Sequence, residues 1–101
     1  MSVLMTLRVQ GDATKLEALA ASDPSLFPTV SGKGKEMGAT YHRFYATDTE
    51  IMVVDVWPDE ATFQAFFDST PDIGKVMAEA GVSTAPQITF WRNIDLGDAI
   101  G

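Results

Sequence analysis

The sequence contains no cysteine. Disulfides, thiolate nucleophiles and cysteine-based zinc sites are therefore excluded. Histidine occurs once, so one chain cannot build a multi-histidine metal site, and no metal is expected. Basic residues are scarce as well, with 7 Lys and Arg against 14 Asp and Glu and a net charge of −7. A chain this acidic lacks the positive patch that nucleic acid or an anionic membrane surface requires, so neither is expected as a partner. No apolar run approaches the roughly 20 residues of a membrane helix. The N-terminal "MSVLMTLRVQGD" has no basic leader and reaches Arg8 too soon for a signal peptide, so the cytoplasm is the expected location.

What remains is the profile of one globular domain over residues 1–101, with 46% hydrophobic and 21% charged residues. A domain of this size buries only about 60–65% of its unfolded surface, so a second subunit would help its stability. Val3 to Gln10 alternates as a strand, with Val3, Met5, Leu7 and Val9 on a wholly apolar face. Gly11 breaks it, and Asp12 is an N-cap for the helix "ATKLEALAAS". In "SDPSLF", Asp23 is a candidate cap and Pro24 a candidate first helical residue. "PTVSGKGKEMG" is a poor helix, because Gly32 and Gly34 each cost about 1 kcal/mol relative to Ala. Residues 22–38 are therefore expected to be a loose helix or a helix-bearing loop, with Gly38 as its stop.

Ala39 to Thr47 and Glu50 to Trp57 read as strands, joined by the turn signal "ATDTE" into a hairpin. Pro58-Asp59 opens a helix whose stripe is Phe63, Phe66 and Phe67. A second helix follows in "STPDIGKVMAEAG", capped at Ser69 or Thr70, with Ile73, Val76, Met77 and Ala80 on one face and Gly81 as its stop. Gln87 to Asn93 is the last strand, and the apolar residues of the tail "IDLGDAIG" are candidates for docking on a partner. The order is the α+β, ferredoxin-like split βαβ plan with a four-stranded antiparallel sheet. Both faces of the first three strands carry apolar groups, so the face away from the helices is expected to meet another subunit.

The segment "HRFYATDTEIMVVDVWPDEATFQAFFDS" resembles the dimeric α/β-barrel superfamily, best known for the antibiotic biosynthesis monooxygenases. The resemblance rests on an acid-x-Trp strand end at Asp55, Val56 and Trp57, the helix start Pro58-Asp59-Glu60, and the aromatics that follow. It implies a homodimer in which two ferredoxin-like subunits pair their sheets into a barrel, each keeping a pocket between sheet and helices. It also implies cofactor-independent oxygenase or isomerase chemistry on an aromatic or enolisable substrate, with no cofactor. Haem-degrading relatives use an Asn, a Trp and a His. The matching positions here are Thr6 or Leu7, Phe66, and Val76 or Met77, so haem is not expected as a substrate.

His42 is the candidate base. A two-residue or four-residue turn in the hairpin sets His42 opposite Asp55, Thr40 opposite Trp57 and Phe44 opposite Val53, whereas a three-residue turn sets His42 against Val56. In the first register Asp55 would orient the imidazole for general-base work. The structural alternative is a His–Asp pair that satisfies two polar groups in a half-buried sheet. Trp57, Phe44, Phe63, Phe66, Phe67 and Trp91 are candidates to hold a small aromatic or apolar ligand, although aromatics at these spacings also build cores. Tyr41, Arg43 and Tyr45 share the opposite strand face and favour an interface, where Tyr and Arg are enriched. "GKGKE" has no preceding strand and is not a phosphate loop. The functional expectation is a small-molecule-binding barrel with enzymatic chemistry at His42 and Asp55; the alternative is a non-catalytic ligand-binding or interaction protein on the same scaffold.

Overall fold

A computed structural model of the chain describes residues 2–101. Its elements run β1 (Val3–Gln10), α1 (Ala13–Ser22), α2 (Leu26–Glu36), β2 (Tyr41–Ala46), β3 (Glu50–Trp57), α3 (Glu60–Asp68), α4 (Asp72–Glu79) and β4 (Gln87–Trp91). The strands form one antiparallel sheet in the order β2-β3-β1-β4. This is the split βαβ arrangement, with β1 and β2 parallel to each other and β3 between them. Among the described residues no helix is long and apolar enough to cross a membrane.

Pairing assigns every strand residue to a face. Met5 sits opposite both Asp55 and Phe90, Leu7 opposite Val53 and Ile88, and Val9 opposite Ile51. This face meets the helices. Leu16 of α1, Phe27 and Val30 of α2, Phe63 and Phe66 of α3, and Val76 and Met77 of α4 pack on it. On the other face Leu4 stands opposite Val56 and Trp91, and Thr6 opposite Val54 and Thr89.

Local chemistry explains most of the boundaries. Asp12 accepts the Thr14 backbone N–H at 2.9 Å and so caps α1. Asp59 does the same for α3 from Thr62 at 2.7 Å. Gly38 has φ +120, a left-handed conformation that a side chain strains to adopt, and turns the chain from α2 towards β2. A Cβ there would also lie 3.0 Å from Pro58 Cγ.

α2 departs from expectation. It is a regular helix of 11 residues through Gly32 and Gly34. Packing outweighs propensity here: Phe27, Val30 and Met37 lay their apolar surface on the core. Pro28 is tolerated because it lies in the first turn, where its missing N–H has no intrahelical partner to lose. Asp23 does not cap this helix but closes α1, and Ser25 at the α2 N-cap makes no capping bond, its hydroxyl donating instead to Asp23 Oδ1 at 3.1 Å. α4 likewise begins after Pro71 with no side-chain cap, because the Thr70 hydroxyl instead donates to Phe66 O at 2.6 Å. β2 and β4 are shorter than the pattern suggests, since both are edge strands that lose pairing at their ends.

Candidate functional site

The β2–β3 hairpin positions the site. Thr47 N–H donates to Glu50 O at 2.8 Å, so the turn has the two central residues Asp48 and Thr49. The Thr47 hydroxyl braces it by accepting the Glu50 N–H at 3.0 Å. An even turn then sets His42 opposite Asp55 and Phe44 opposite Val53, all on the helix-covered face.

His42 Nδ1 lies 2.7 Å from Asp55 Oδ1. The second carboxylate oxygen, Oδ2, accepts the indole N–H of Trp57 at 3.1 Å. Strand alternation makes this possible, because residues 55 and 57 share a face. Asp55 is only 5% exposed, whereas the His42 side chain is 35% exposed. The carboxylate is thus enclosed with both oxygens satisfied, and the imidazole stands at the boundary with solvent. A carboxylate only accepts, so Nδ1 must be the donor. In the neutral ring Nε2 then carries the lone pair, and it makes no hydrogen bond among the described residues. That is the geometry of an oriented general base.

A cavity of about 110 Å³ opens beside the pair, between the sheet and α2, α3 and α4. A single water needs only about 10–15 Å³ of such space, so the cavity has room for a small organic group. Phe44, Trp57, Phe63, Phe66 and Phe67 line it together with His42 and Asp55. Apart from His42 and Asp55, Ser31 is the hydrophilic side chain in the lining, and its hydroxyl donates to Pro28 O at 3.3 Å. The wall is otherwise apolar and carries no Lys or Arg. At the rim the rings of His42 and Phe44 meet edge to face at 5.1 Å, and Phe44 meets Phe27 in the same way at 5.7 Å.

Trp91 does not join this group. It lies on the opposite sheet face, is 52% exposed, and donates its indole N–H to the Thr6 hydroxyl at 2.9 Å. Its strand places odd residues outward, because Leu4 pairs with Trp91 while Met5 pairs with Phe90. Sequence reasoning also overlooked Phe27, Val30 and Ser31 as lining residues. The glycines of α2 hid the period that would have placed them on one face. The α4 stripe Ile73, Val76 and Met77 was visible as a face but not as a cavity wall.

The outer face has its own polar cluster. Tyr41 and Tyr45 hydroxyls lie 2.9 Å apart, and the Arg43 guanidinium sits 5.0 Å from the Tyr41 ring centre. The bond to Tyr45 raises the Tyr41 phenol above its ordinary pKa. Arg8 and Glu50 form a two-pronged ion pair at 3.0 and 3.1 Å. Among the described residues no group of three or more His, Asp or Glu is arranged to hold a metal ion.

No protein-family model matches this sequence, and no curated protein matches it. Solved structures do. SnoaB, a cofactor-independent oxygenase from Streptomyces nogalater, is 15% identical over 97% of this chain and 98% of its own, with a TM-score of 0.63. A candidate antibiotic biosynthesis monooxygenase from Deinococcus radiodurans is 12% identical over 98% of this chain and 99% of its own, with a TM-score of 0.64. A conserved protein from Methanosarcina mazei Go1 is 16% identical over 93% of this chain and 94% of its own, at a TM-score of 0.66. At such identities the likeness is one of architecture: this chain has the ferredoxin-like α+β fold of the antibiotic biosynthesis monooxygenase-like proteins.

Proposed function

We propose that this protein acts on a small, neutral, aromatic or enolisable substrate, as a monooxygenase or isomerase that needs no cofactor. The observation that carries this reading is the His42–Asp55 pair at the edge of an apolar cavity, with Nε2 unengaged among the described residues. Nε2 takes the proton from an acidified C–H or O–H, Asp55 orients the ring, and Phe44, Phe63, Phe66 and Phe67 surround the apolar body of the substrate. An apolar wall without Lys or Arg favours a neutral ligand over a phosphate or carboxylate. In an oxygenase, the carbanion formed by proton removal reduces dioxygen, so that a CH2 group and O2 become C=O and H2O. In an isomerase, the proton returns at another carbon. The cofactor-free oxygenase SnoaB on the same fold supports the first course.

The protein is also proposed to work as a homodimer that pairs the outer sheet faces. Leu4, Tyr41 and Trp91 stand exposed there, next to Val54 and Val56, while the described helices all cover the other side.

The test uses neutral enolisable aromatic ketones, with oxygen uptake and deuterium exchange at the acidic carbon as readouts. Turnover by the native chain should fall about 100- to 10,000-fold in His42→Ala, the usual worth of a general base. Ligand binding with neither uptake nor exchange, in native protein and variant alike, would replace the enzymatic reading with a non-catalytic binding protein.

A further inference from the structure

We propose that Trp57 is a positioning residue for the His42–Asp55 pair, and that the site uses its indole N–H rather than its ring face. The ring itself is enclosed. Trp57 is 1% exposed, Phe66 lies over it with centroids 5.1 Å apart, and Phe63 meets it at 5.8 Å. On α2, a Cβ at Gly34 would stand 3.6 Å from the far edge of the indole. Such a ring offers a ligand little surface on which to stack. Its one polar atom, Nε1, is aimed along the strand face at Asp55 Oδ2, at 3.1 Å.

The chemistry of the three groups makes this contact directional. An indole N–H only donates, and a carboxylate only accepts. Trp57 therefore claims one oxygen of Asp55 and holds the carboxylate so that the other faces His42 Nδ1 at 2.7 Å. Three inward residues of the hairpin, His42 on β2 with Asp55 and Trp57 on β3, form one chain of hydrogen bonds that starts in the core and ends at the cavity rim. A buried Trp N–H is costly to leave without a partner, so the core itself enforces the carboxylate's orientation. The consequence is a fixed tautomer, with the proton on Nδ1 and the lone pair on Nε2. This extends the reading of His42 as a base, but its test does not depend on turnover.

Asp55→Asn exposes the directing role. An amide has one accepting end and one donating end. Trp57 can bond only to the oxygen, so the amide NH2 must face His42 Nδ1, and that nitrogen must now accept. The ring proton then moves to Nε2. Because the chain has a single histidine, 15N NMR of the imidazole reports the tautomer without overlap. Spectra are recorded at a pH of about 9, well above the ordinary imidazole value of about 6.5. The native protein should show the pyridine-type signal on Nε2, and Asp55→Asn should show it on Nδ1. Adding Trp57→Phe removes the donor, frees the amide to turn its oxygen to His42, and should return the signal towards Nε2. If Asp55→Asn keeps its pyridine-type nitrogen at Nε2, or if the double variant stays at Nδ1, Trp57 does not direct the pair. Should the double variant fail to fold, the Trp57 Nε1–H proton in Asp55→Asn decides: a hydrogen-bonded shift upholds the proposal and a free indole shift overturns it. Absence of oxygenase and isomerase activity in the native protein, together with the expected tautomers, would count against the function alone.

Discussion

His42 Nδ1 and Asp55 Oδ1 stand 2.7 Å apart across a directly opposed strand pair, with the carboxylate buried and the imidazole at the solvent boundary. The pair joins two requirements of an acid–base site, a fixed ring and an accessible nitrogen, to the ladder of one hairpin.

Removing the carboxylate should cost stability. In Asp55→Ala the Trp57 indole N–H loses its acceptor while remaining in the core. An unpaired buried donor costs about 1–3 kcal/mol, and urea unfolding should show a loss of that size. A change within about 0.5 kcal/mol, as for an ordinary surface substitution, would mean that water replaces the carboxylate freely.

Pairing of outer sheet faces predicts a stable dimer. Sedimentation equilibrium should give a mass near twice 10.9 kDa. Val54→Lys puts a charge in the middle of that face, beside Thr6 and Arg43, and should shift the population to monomer. A monomeric native protein would rule out the barrel assembly.

Strong acid should loosen the helix starts. The Thr62 hydroxyl, and then its backbone N–H, hold the Asp59 carboxyl below the usual carboxylate range, and Thr14 does the same for Asp12. A carboxyl whose folded pKa is lowered stabilises the fold above its unfolded value of about 3.9, and that contribution fades as pH falls through the lower, folded value. Asp59→Asn still offers an oxygen as a cap but does not titrate there. Denaturation series at pH values below about 4 should therefore be less steep in pH for Asp59→Asn than for the native chain. Parallel curves would show that this carboxyl is not part of the acid response.

Gly38→Ala tests the turn between α2 and β2. A side chain at φ +120 is strained, and its Cβ would press on Pro58 Cγ at 3.0 Å. Strain of this kind costs about 1–3 kcal/mol, so the variant should melt several degrees lower in a thermal scan. An unchanged Tm would mean that the segment relaxes without cost.

The pairing of His42 with Asp55 was legible because a strand has period two. Any even turn in "ATDTEI" places the two residues opposite each other, so the sequence needed no knowledge of the turn's shape. The spans of β1 and β3 were legible for the same reason, as were the cap at Asp12 and the helix start at Pro58-Asp59, whose chemistry is local. The regularity of α2 was not, since Gly32 and Gly34 point to a loose helix or a helix-bearing loop until Phe27, Val30 and Met37 find a core to pack on. The side of the sheet taken by Trp91 depends on the register of β4 against β1, residues 85 apart in sequence at the Thr6–Trp91 bond. The irregular link before β4 carries no parity that could set it. Local periodicity thus determined which residues pair within the hairpin for any even turn, and the structure supplied the even turn. Only tertiary packing decided that a core tryptophan would reach the second oxygen of Asp55, because that contact needs the helices to press the indole into place.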